Sequence, residues 1–153
     1  MRKAMVTAIM VIMLFCTAYA DNVYILCRPD DYVNIRMFPS TNSEAIGQLD
    51  CGDSIETDGV TRKDKKGRTW VHVCGLEGGG WVCSRYVQET PVNIVSYDGY
   101  VSANGRTAVR RSPNGKVVKW LHNGDDVCII AMSDEWALTK SGYIKKELLD
   151  VYD

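Results

Sequence analysis

Short apolar runs separated by turn residues dominate the chain after residue 20. Residues 23–26, 32–36, 70–73 and 127–130 are rich in β-branched and aromatic side chains, with Gly, Asn, Asp and Pro between the runs. No apolar period of 3.6 residues extends far enough to predict a long helix. Runs of this length with turn residues between them are typical of small β-sandwiches and barrels. We therefore predict an all-β fold.

The first twenty residues have the pattern of an export signal. Two basic residues precede the apolar stretch at residues 4–15, and small residues precede a cleavage position before Asp21. The apolar stretch is shorter than the ~20 residues of a membrane-spanning helix. We predict a signal peptide over residues 1–20 and a secreted or extracytoplasmic protein, in the periplasm or cell envelope. A lipoprotein acylated at Cys16 and an uncleaved anchor are the alternatives.

The rest of the chain contains two copies of one short pattern. Matched positions occur in the same order in both copies, and their spacing shrinks in steps, as shorter loops in the second copy would produce. They pair Ile35-Arg36 with Val109-Arg110, Pro39 with Pro113, Gly52-Asp53 with Gly124-Asp125, Trp70 with Trp136, and Trp81-Val82 with Tyr143-Ile144. We predict one domain over residues 22–90 and a divergent second domain over residues 91–153, held close by a short linker containing proline.

The first copy contains a characteristic series of residues: Val33-Asn34-Ile35-Arg36, Pro39-Ser40, Ile46-Gly47, Leu49, Gly52-Asp53, Trp70, Gly80-Trp81-Val82 and Tyr86-Val87. In these residues it resembles the bacterial SH3-like (SH3b) domain. The second copy is similar more loosely over residues 97–150, with Tyr143 where the family usually has Trp. The resemblance implies two small SH3-like β-barrels in tandem, a fold whose exported members commonly bind bacterial cell-wall material.

Several repeated residues have structural roles that need no ligand. Aromatic side chains are expected to fill the two small cores: Trp70 and Trp81 in the first, and Trp120, Trp136 and Tyr143 in the second. In each Gly-Asp pair, the glycine suits a positive φ and the aspartate caps nearby N–H groups. Arg36 and Arg110 are expected to donate hydrogen bonds to loop carbonyls while their stems cover apolar surface.

Cysteines of an exported chain usually pair. Residues 74–83 have the pattern of a hairpin with Gly78-Gly79 as its two-residue turn, and this register places Cys74 opposite Cys83 at a non-hydrogen-bonded position. We therefore predict a Cys74–Cys83 disulfide.

Three further cysteines follow the signal peptide. Cys27 and Cys51 lie in the same copy and are predicted to form a second disulfide, which leaves Cys128 as a free thiol that packs as a small apolar residue. His72, Cys74 and Cys83, with Cys51, also suggest a zinc site, but the paired C-x₂-C spacing of structural zinc sites is absent. We expect no metal ion and no cofactor.

Composition argues against several classes of function. The 18 basic and 19 acidic residues give a formal charge of −1, which offers no excess of cations for nucleic acid. The two histidines limit acid–base chemistry, and no G-x-S-x-G, H-E-x-x-H or P-loop pattern occurs. We predict a protein that is not an enzyme.

One short segment concentrates positive charge. Arg62, Lys63, Lys65, Lys66 and Arg68 lie before Trp70 in a predicted hairpin loop. Either this is a solvated loop tip, or it contacts an anionic polymer such as teichoic acid or lipid head groups.

The resemblance favours a binding module for peptidoglycan or another cell-envelope polymer. Aromatic and amide side chains suit sugar and peptide contact, and the candidates for binding are Tyr32, Asn34, Tyr86, Tyr97 and Tyr100. The alternative is a protein–protein interaction or structural envelope protein in which Cys128 is free or links two chains. Nucleic-acid binding and a membrane span are not expected.

Overall fold

A computed structural model describes residues 21–152 of the chain. The predicted signal peptide over residues 1–20 and the Cys16 alternative lie outside the described residues. The described part of the chain contains fourteen β-strands, two short 3-10 helices and no α-helix, so the all-β prediction is confirmed. No helix within residues 21–152 is long and apolar enough to cross a membrane.

The first half of the described chain forms an antiparallel sheet of seven strands. The strands are β1 (Asp21–Ile25), β2 (Tyr32–Arg36), β3 (Ala45–Asp50), β4 (Ser54–Lys63), β5 (Thr69–Val73), β6 (Gly80–Cys83) and β7 (Val87–Gln88). Their order in the sheet is β3-β2-β6-β5-β4-β1-β7. A 3-10 helix at Ser84–Tyr86 joins β6 to β7.

The second half forms another seven-stranded antiparallel sheet. Its strands are β8 (Asn93–Val101), β9 (Arg106–Arg110), β10 (Val117–His122), β11 (Asp126–Met132), β12 (Trp136–Thr139), β13 (Gly142–Lys145) and β14 (Leu149–Val151), with a 3-10 helix at Lys146–Leu148. The strand order is β10-β9-β13-β12-β11-β8-β14, which repeats that of the first sheet strand for strand. The exact domain limits, 22–90 and 91–153, stay a prediction.

Most of the predicted core aromatics are buried. They are Trp70, Trp81, Trp136 and Tyr143. The expectation for Trp120 is wrong, because its side chain is 49% exposed. Trp120 lies on β10, at the edge of the second sheet, and the Arg106 guanidinium lies 5.1 Å from the centre of its ring. An outward face on an edge strand leaves this ring outside the core.

The turns before β4 and β11 are built as the Gly-Asp pairs predict. Gly52 has φ +89°, and the Asp53 carboxylate accepts a hydrogen bond of 2.8 Å from the Asp50 N–H. Gly124 has φ +85°, and Asp125 accepts the equivalent bond from the preceding strand at 2.8 Å. A side chain with a Cβ is strained at such φ values, so glycine is required at both turns.

The two sheets pack against each other, as the short linker predicts. The Tyr143 hydroxyl donates a buried hydrogen bond of 3.2 Å to the Leu26 carbonyl. The Ser133 hydroxyl lies 3.1 Å from the buried Gln88 side-chain oxygen. One hydrophobic cluster contains residues of both sheets, including Ile25 and Val82 from the first and Tyr143 from the second. The interface therefore combines shared apolar burial with specific hydrogen bonds.

The predicted hairpin register between β5 and β6 is wrong. Cys83 lies opposite Trp70, and Gly80 lies opposite Val73, so residues 74–79 form a longer loop than a two-residue turn. The Cys74 N–H still donates to the Glu56 carbonyl of β4. Burial of one face sets a strand register more strongly than turn composition does.

This register removes the argument for the Cys74–Cys83 disulfide. Cys83 is displaced by four residues from a position opposite Cys74, or about 13 Å along the strand at roughly 3.3 Å per residue. A disulfide needs Cα atoms within about 7 Å. All five thiols of the described residues are free in the structure.

Cys27 and Cys51 lie together in the core of the first sheet. Both are buried. A hydrogen bond between their thiols lowers the pKa of Cys51 to about 7 and raises the pKa of Cys27. Their predicted disulfide stays a prediction, and their contact is compatible with it.

Candidate functional site

A cleft of about 180 Å³ lies on the first sheet, and we call it the arginine cleft. Tyrosine and arginine side chains dominate its lining. The lining residues are Tyr32, Val33, Asn34, Arg36, Thr41, Arg68, Trp70, Cys83, Arg85 and Tyr86. Three of the five predicted ligand-binding residues, Tyr32, Asn34 and Tyr86, therefore meet in one place.

The alternation of side chains along β2 places three of the ten lining residues in this cleft. Val33 and Ile35 point into the core and are buried. Successive side chains of a strand point to opposite faces, so Tyr32, Asn34 and Arg36 share the other face. That face lines the cleft.

Arg36 also has the structural role predicted for it. Its guanidinium donates a hydrogen bond of 2.7 Å to the Ser43 carbonyl. Arg110 of the second sheet donates the equivalent bond of 2.8 Å to the Gly115 carbonyl. The prediction that both arginines bind loop carbonyls is confirmed, and Arg36 in addition contributes positive charge to the cleft.

Arg68 is held at the cleft by Asp64 and Thr41. Its Nε donates to the Asp64 carboxylate at 2.7 Å, and its Nη2 donates to the Thr41 hydroxyl at 3.0 Å. Desolvation alone would raise the pKa of Asp64. Hydrogen bonds from the Arg68 N–H, the Trp70 indole, the Arg68 guanidinium and the Lys66 N–H outweigh it and lower that pKa to about 2. Asp64 therefore stays ionised and fixes Arg68.

Arg85 lies on the 3-10 helix beside the ring of Tyr86. Its guanidinium carbon is 5.9 Å from the ring centre. Desolvation alone would lower the pKa of Arg85, but the neighbouring Cys83 and Tyr86 side chains raise it, so Arg85 remains a cation.

The cleft is positively charged. Three arginines line it, and no Asp or Glu does. Among residues 21–152, Arg68 is ion-paired with Asp64, whereas neither Arg36 nor Arg85 takes part in an ion pair. Two unpaired guanidinium groups beside two tyrosines favour a ligand that carries an anionic group next to a flat or apolar one.

The size of the cleft limits what can enter it. A volume of about 180 Å³ lies below the ~300 Å³ of typical small-molecule pockets. A groove of about 440 Å³ that contains residues of both sheets also has Arg85 in its lining. A third cavity of about 330 Å³ has Tyr86 in its lining. The Ser84–Tyr86 helix therefore lies where three cavities meet, a geometry that suits a polymer with one side group in the cleft.

Four of the five predicted polyanion-binding residues, Lys63, Lys65, Lys66 and Arg68, line one cavity of about 410 Å³. Lys63, Lys65 and Lys66 are exposed in the β4–β5 hairpin, whereas Arg68 also lines the arginine cleft. Arg62 lies 5.3 Å from the centre of the Trp81 ring. Contact of this loop with an anionic polymer stays a prediction for all five residues.

Tyr97 and Tyr100 are not part of the arginine cleft. Both lie on β8 of the second sheet, where Tyr97 is half-exposed and Tyr100 packs against Tyr152 at a ring-centre distance of 5.1 Å. Cys128 is half-buried on the neighbouring strand β11. A role for Cys128 in linking two chains stays a prediction.

Arg85 is the cleft residue that sequence reasoning missed. It lies directly before Tyr86, which was a candidate, but nothing in the local pattern predicts a 3-10 helix that presents both side chains. Arg36 and Arg68 were assigned to other roles. The period of two along β2 was the signal that could have placed Arg36 beside Tyr32 and Asn34.

The first sheet and its cleft have the features of a small all-β binding domain. Residues 31–88 match the family model described as the bacterial SH3 domain. This match confirms the resemblance drawn from the residues of the first copy. The matched segment contains every lining residue of the arginine cleft.

Comparisons over the whole chain find only distant similarity. No curated protein matches it. Two structures from Trichomonas vaginalis, NlpC2 and NlpC1, each share 13% identity over 88% of this chain, with TM-scores of 0.34 and 0.31. A candidate autolysin from Listeria monocytogenes shares 13% identity over 88% of this chain, with a TM-score of 0.32. This chain spans 48%, 46% and 63% of the lengths of those three proteins.

Proposed function

We propose that this protein is an exported, non-enzymatic binding module that recognises peptidoglycan or another cell-envelope polymer through the arginine cleft. The observation that carries the proposal is the meeting of Arg36 and Arg85, both without carboxylate partners among residues 21–152, with Tyr32 and Tyr86 in one cleft. The family match supports a binding role, because exported members of this family commonly bind cell-wall material.

The chemistry of peptidoglycan suits such a cleft. Its short peptides carry free carboxylates, which guanidinium groups bind through paired, charge-assisted hydrogen bonds. Its sugar rings and peptide planes offer flat faces on which tyrosine rings can lie. One carboxylate-bearing side group fits the cleft, and the rest of the polymer follows the groove beside Arg85.

The lining of the cleft supports binding rather than catalysis. It contains neither histidine nor carboxylate, the groups that most often transfer protons in enzymes. Its thiol, Cys83, has no histidine beside it in the cleft, so a base to activate the thiol is missing from the lining.

Retention on purified, teichoic-acid-free peptidoglycan tests the proposal. Arg85→Gln removes a charge-assisted contact worth roughly 1.5–3 kcal/mol and is expected to weaken binding about 10–100-fold. Tyr32→Ala is expected to weaken it by a smaller factor, about 2–10-fold. Tyr97→Ala is the matched control, because Tyr32 and Tyr97 are both 50% exposed on strands and only Tyr32 lines the cleft.

The results show whether the polymer binds in the arginine cleft or at the lysines of the β4–β5 hairpin. Equal retention of wild type and both cleft variants would refute the proposal. Loss of binding in a Lys63→Ala/Lys65→Ala/Lys66→Ala variant, with the cleft variants unaffected, would assign recognition to the exposed β4–β5 hairpin. Binding through that loop alone would also fall steeply with added salt.

A further inference from the structure

Asp58, His72 and Cys74 lie together on the surface of the first sheet. They offer one carboxylate oxygen, one imidazole nitrogen and one thiol sulfur, and these three atoms are all within 4.8 Å of one another. His72 lies on β5, and Cys74 follows it by two residues, so the two side chains share one face of the extended chain. Asp58 is contributed by the neighbouring strand β4.

An irregularity in β4 directs Asp58 toward His72. Thr57 pairs with Val73 and Thr61 pairs with Val71, so β4 has two more residues than β5 between these pairs. Such bulges turn a side chain away from the regular alternation of a strand. The Asp58 carboxylate thereby lies 2.8 Å from Nδ1 of His72.

The His72 ring is fixed from two other sides. It packs against the Trp81 ring at a centre-to-centre distance of 5.0 Å. Gly79 of the loop after Cys74 approaches the imidazole so closely that a Cβ at this position would overlap the ring. The imidazole is thus held by packing, whereas the Asp58 and Cys74 side chains are exposed and can adjust.

The chemistry of these three donors is specific. Thiolate, imidazole and carboxylate are the ligands of Zn²⁺ and related divalent metals, whereas Ca²⁺ and Mg²⁺ select oxygen. Bonds of about 2.0–2.3 Å place neighbouring tetrahedral ligand atoms roughly 3.3–3.8 Å apart. The exposed side chains need to move by about an ångström to reach that spacing.

We propose that Asp58, His72 and Cys74 bind a divalent metal ion of the zinc class, with a fourth position open to solvent. The site differs from the zinc site considered from sequence, since Cys83 lines the arginine cleft and Cys51 contacts Cys27 in the core. It also gives a role to Cys74, whose predicted disulfide partner lies elsewhere. The proposal is independent of the proposed function, because none of the three residues lines the arginine cleft.

Cobalt(II) titration of the purified, reduced protein tests the site, because Co²⁺ bound by a thiolate gives a charge-transfer absorption band. We expect one ion per chain, a thiolate band, and displacement of Co²⁺ by Zn²⁺. Cys74→Ser should abolish the band. Asp58→Asn should weaken binding by about tenfold or more, at least the loss seen when a supporting residue of a metal site is replaced.

Cys128→Ser is the matched control. Cys128 is also a free thiol, but it lies on β11 of the second sheet, outside the cluster. Its band should equal that of the wild type. Absence of the band at excess Co²⁺ overturns the proposal, as does a band that survives Cys74→Ser or disappears in Cys128→Ser. Peptide mapping of the unreduced protein adds a second measurement, in which a disulfide at Cys74 also overturns it. Unchanged circular dichroism of the metal-free variants shows that their fold is intact.

Discussion

Replacing Tyr143 with Phe removes one hydroxyl from the boundary between the two sheets. That hydroxyl donates to the Leu26 carbonyl at 3.2 Å, in a position where both residues are buried. Desolvation raises the pKa of Tyr143, so the hydroxyl keeps its proton and remains a donor. The ring stays in place in the variant, so the change isolates the hydrogen bond from the packing.

The expected loss of stability follows from the buried carbonyl. An intramolecular hydrogen bond contributes about 0.5–1.5 kcal/mol, and a buried acceptor left without a partner costs about 1–3 kcal/mol. We expect Tyr143→Phe to lower the free energy of unfolding by about 1–2 kcal/mol. For a chain of this size, each kcal/mol lowers Tm by roughly 4 °C, so Tm should fall by about 4–8 °C.

Thermal unfolding followed by circular dichroism and calorimetry measures this change. Tyr24→Phe is the control, because Tyr24 packs against the same cluster and no hydrogen bond to its hydroxyl is found within residues 21–152. Because the hydrophobic cluster includes both sheets, we expect one unfolding transition, shifted as a whole. A Tyr143→Phe shift no larger than that of Tyr24→Phe, or two transitions of which one moves, would refute the reasoning.

Three further predictions concern the first sheet. Asp64 has a pKa of about 2 in the folded protein, below the ~3.9 of an unfolded chain. The stabilisation by ionised Asp64 is therefore complete above about pH 4 and is lost as pH falls toward 2. Asp64→Asn should lower Tm at pH 7 and make Tm depend less on pH in this acid range. Gly80→Ala places a Cβ against Ile35 and should cost about 1–3 kcal/mol in urea unfolding, where an unchanged midpoint would contradict the packing. Peptide mapping of the unreduced protein should find Cys27 linked to Cys51, a bridge worth about 3 kcal/mol, and free alkylation of both thiols in that protein would contradict it.

The sequence predicted the fold from features whose cause is local. Alternating apolar residues make β2, and the Gly-Asp pairs make the turns before β4 and β11, so both copies could be placed without any tertiary information. Trp120 shows the limit of this reasoning. Its burial depends on which strand lies at the edge of the sheet, and the composition of β10 does not carry that information.

The part of the arginine cleft that depends on local sequence pattern could be predicted, and the rest could not. Tyr32 and Asn34 share a face of β2, which the period of two determines. Tyr86 and Arg85 join them through a 3-10 helix that the pattern does not specify. The predicted pairing of Cys74 with Cys83 was wrong. Gly78-Gly79 favours a local two-residue turn, but the register is set by the pairing of β5 with β6, in which Val73 lies opposite Gly80.

The two copies keep one fold but only one of them keeps the chemistry of the cleft. Along the matched strands and 3-10 helices, the positions of Tyr32, Asn34, Arg85 and Tyr86 are taken in the second sheet by Arg106, Ala108, Glu147 and Leu148. The arginine that binds a loop carbonyl is retained in both. The arginines with a structural role, Arg36 and Arg110, are thus the same in both copies, whereas the residues that line the cleft differ. The carboxylate of Glu147 takes the position of the Arg85 guanidinium.

The second sheet nevertheless contributes to the cleft through the backbone. Tyr143 donates to the Leu26 carbonyl, and the Leu26 N–H in turn donates to the Tyr86 carbonyl at 2.8 Å. A chain of two hydrogen bonds therefore connects the second sheet to Tyr86, which lines two of the three cavities. A binding site is more selective when its side chains are held in place. Under the proposed function, we therefore expect the second copy to support binding by fixing the 3-10 helix of the first.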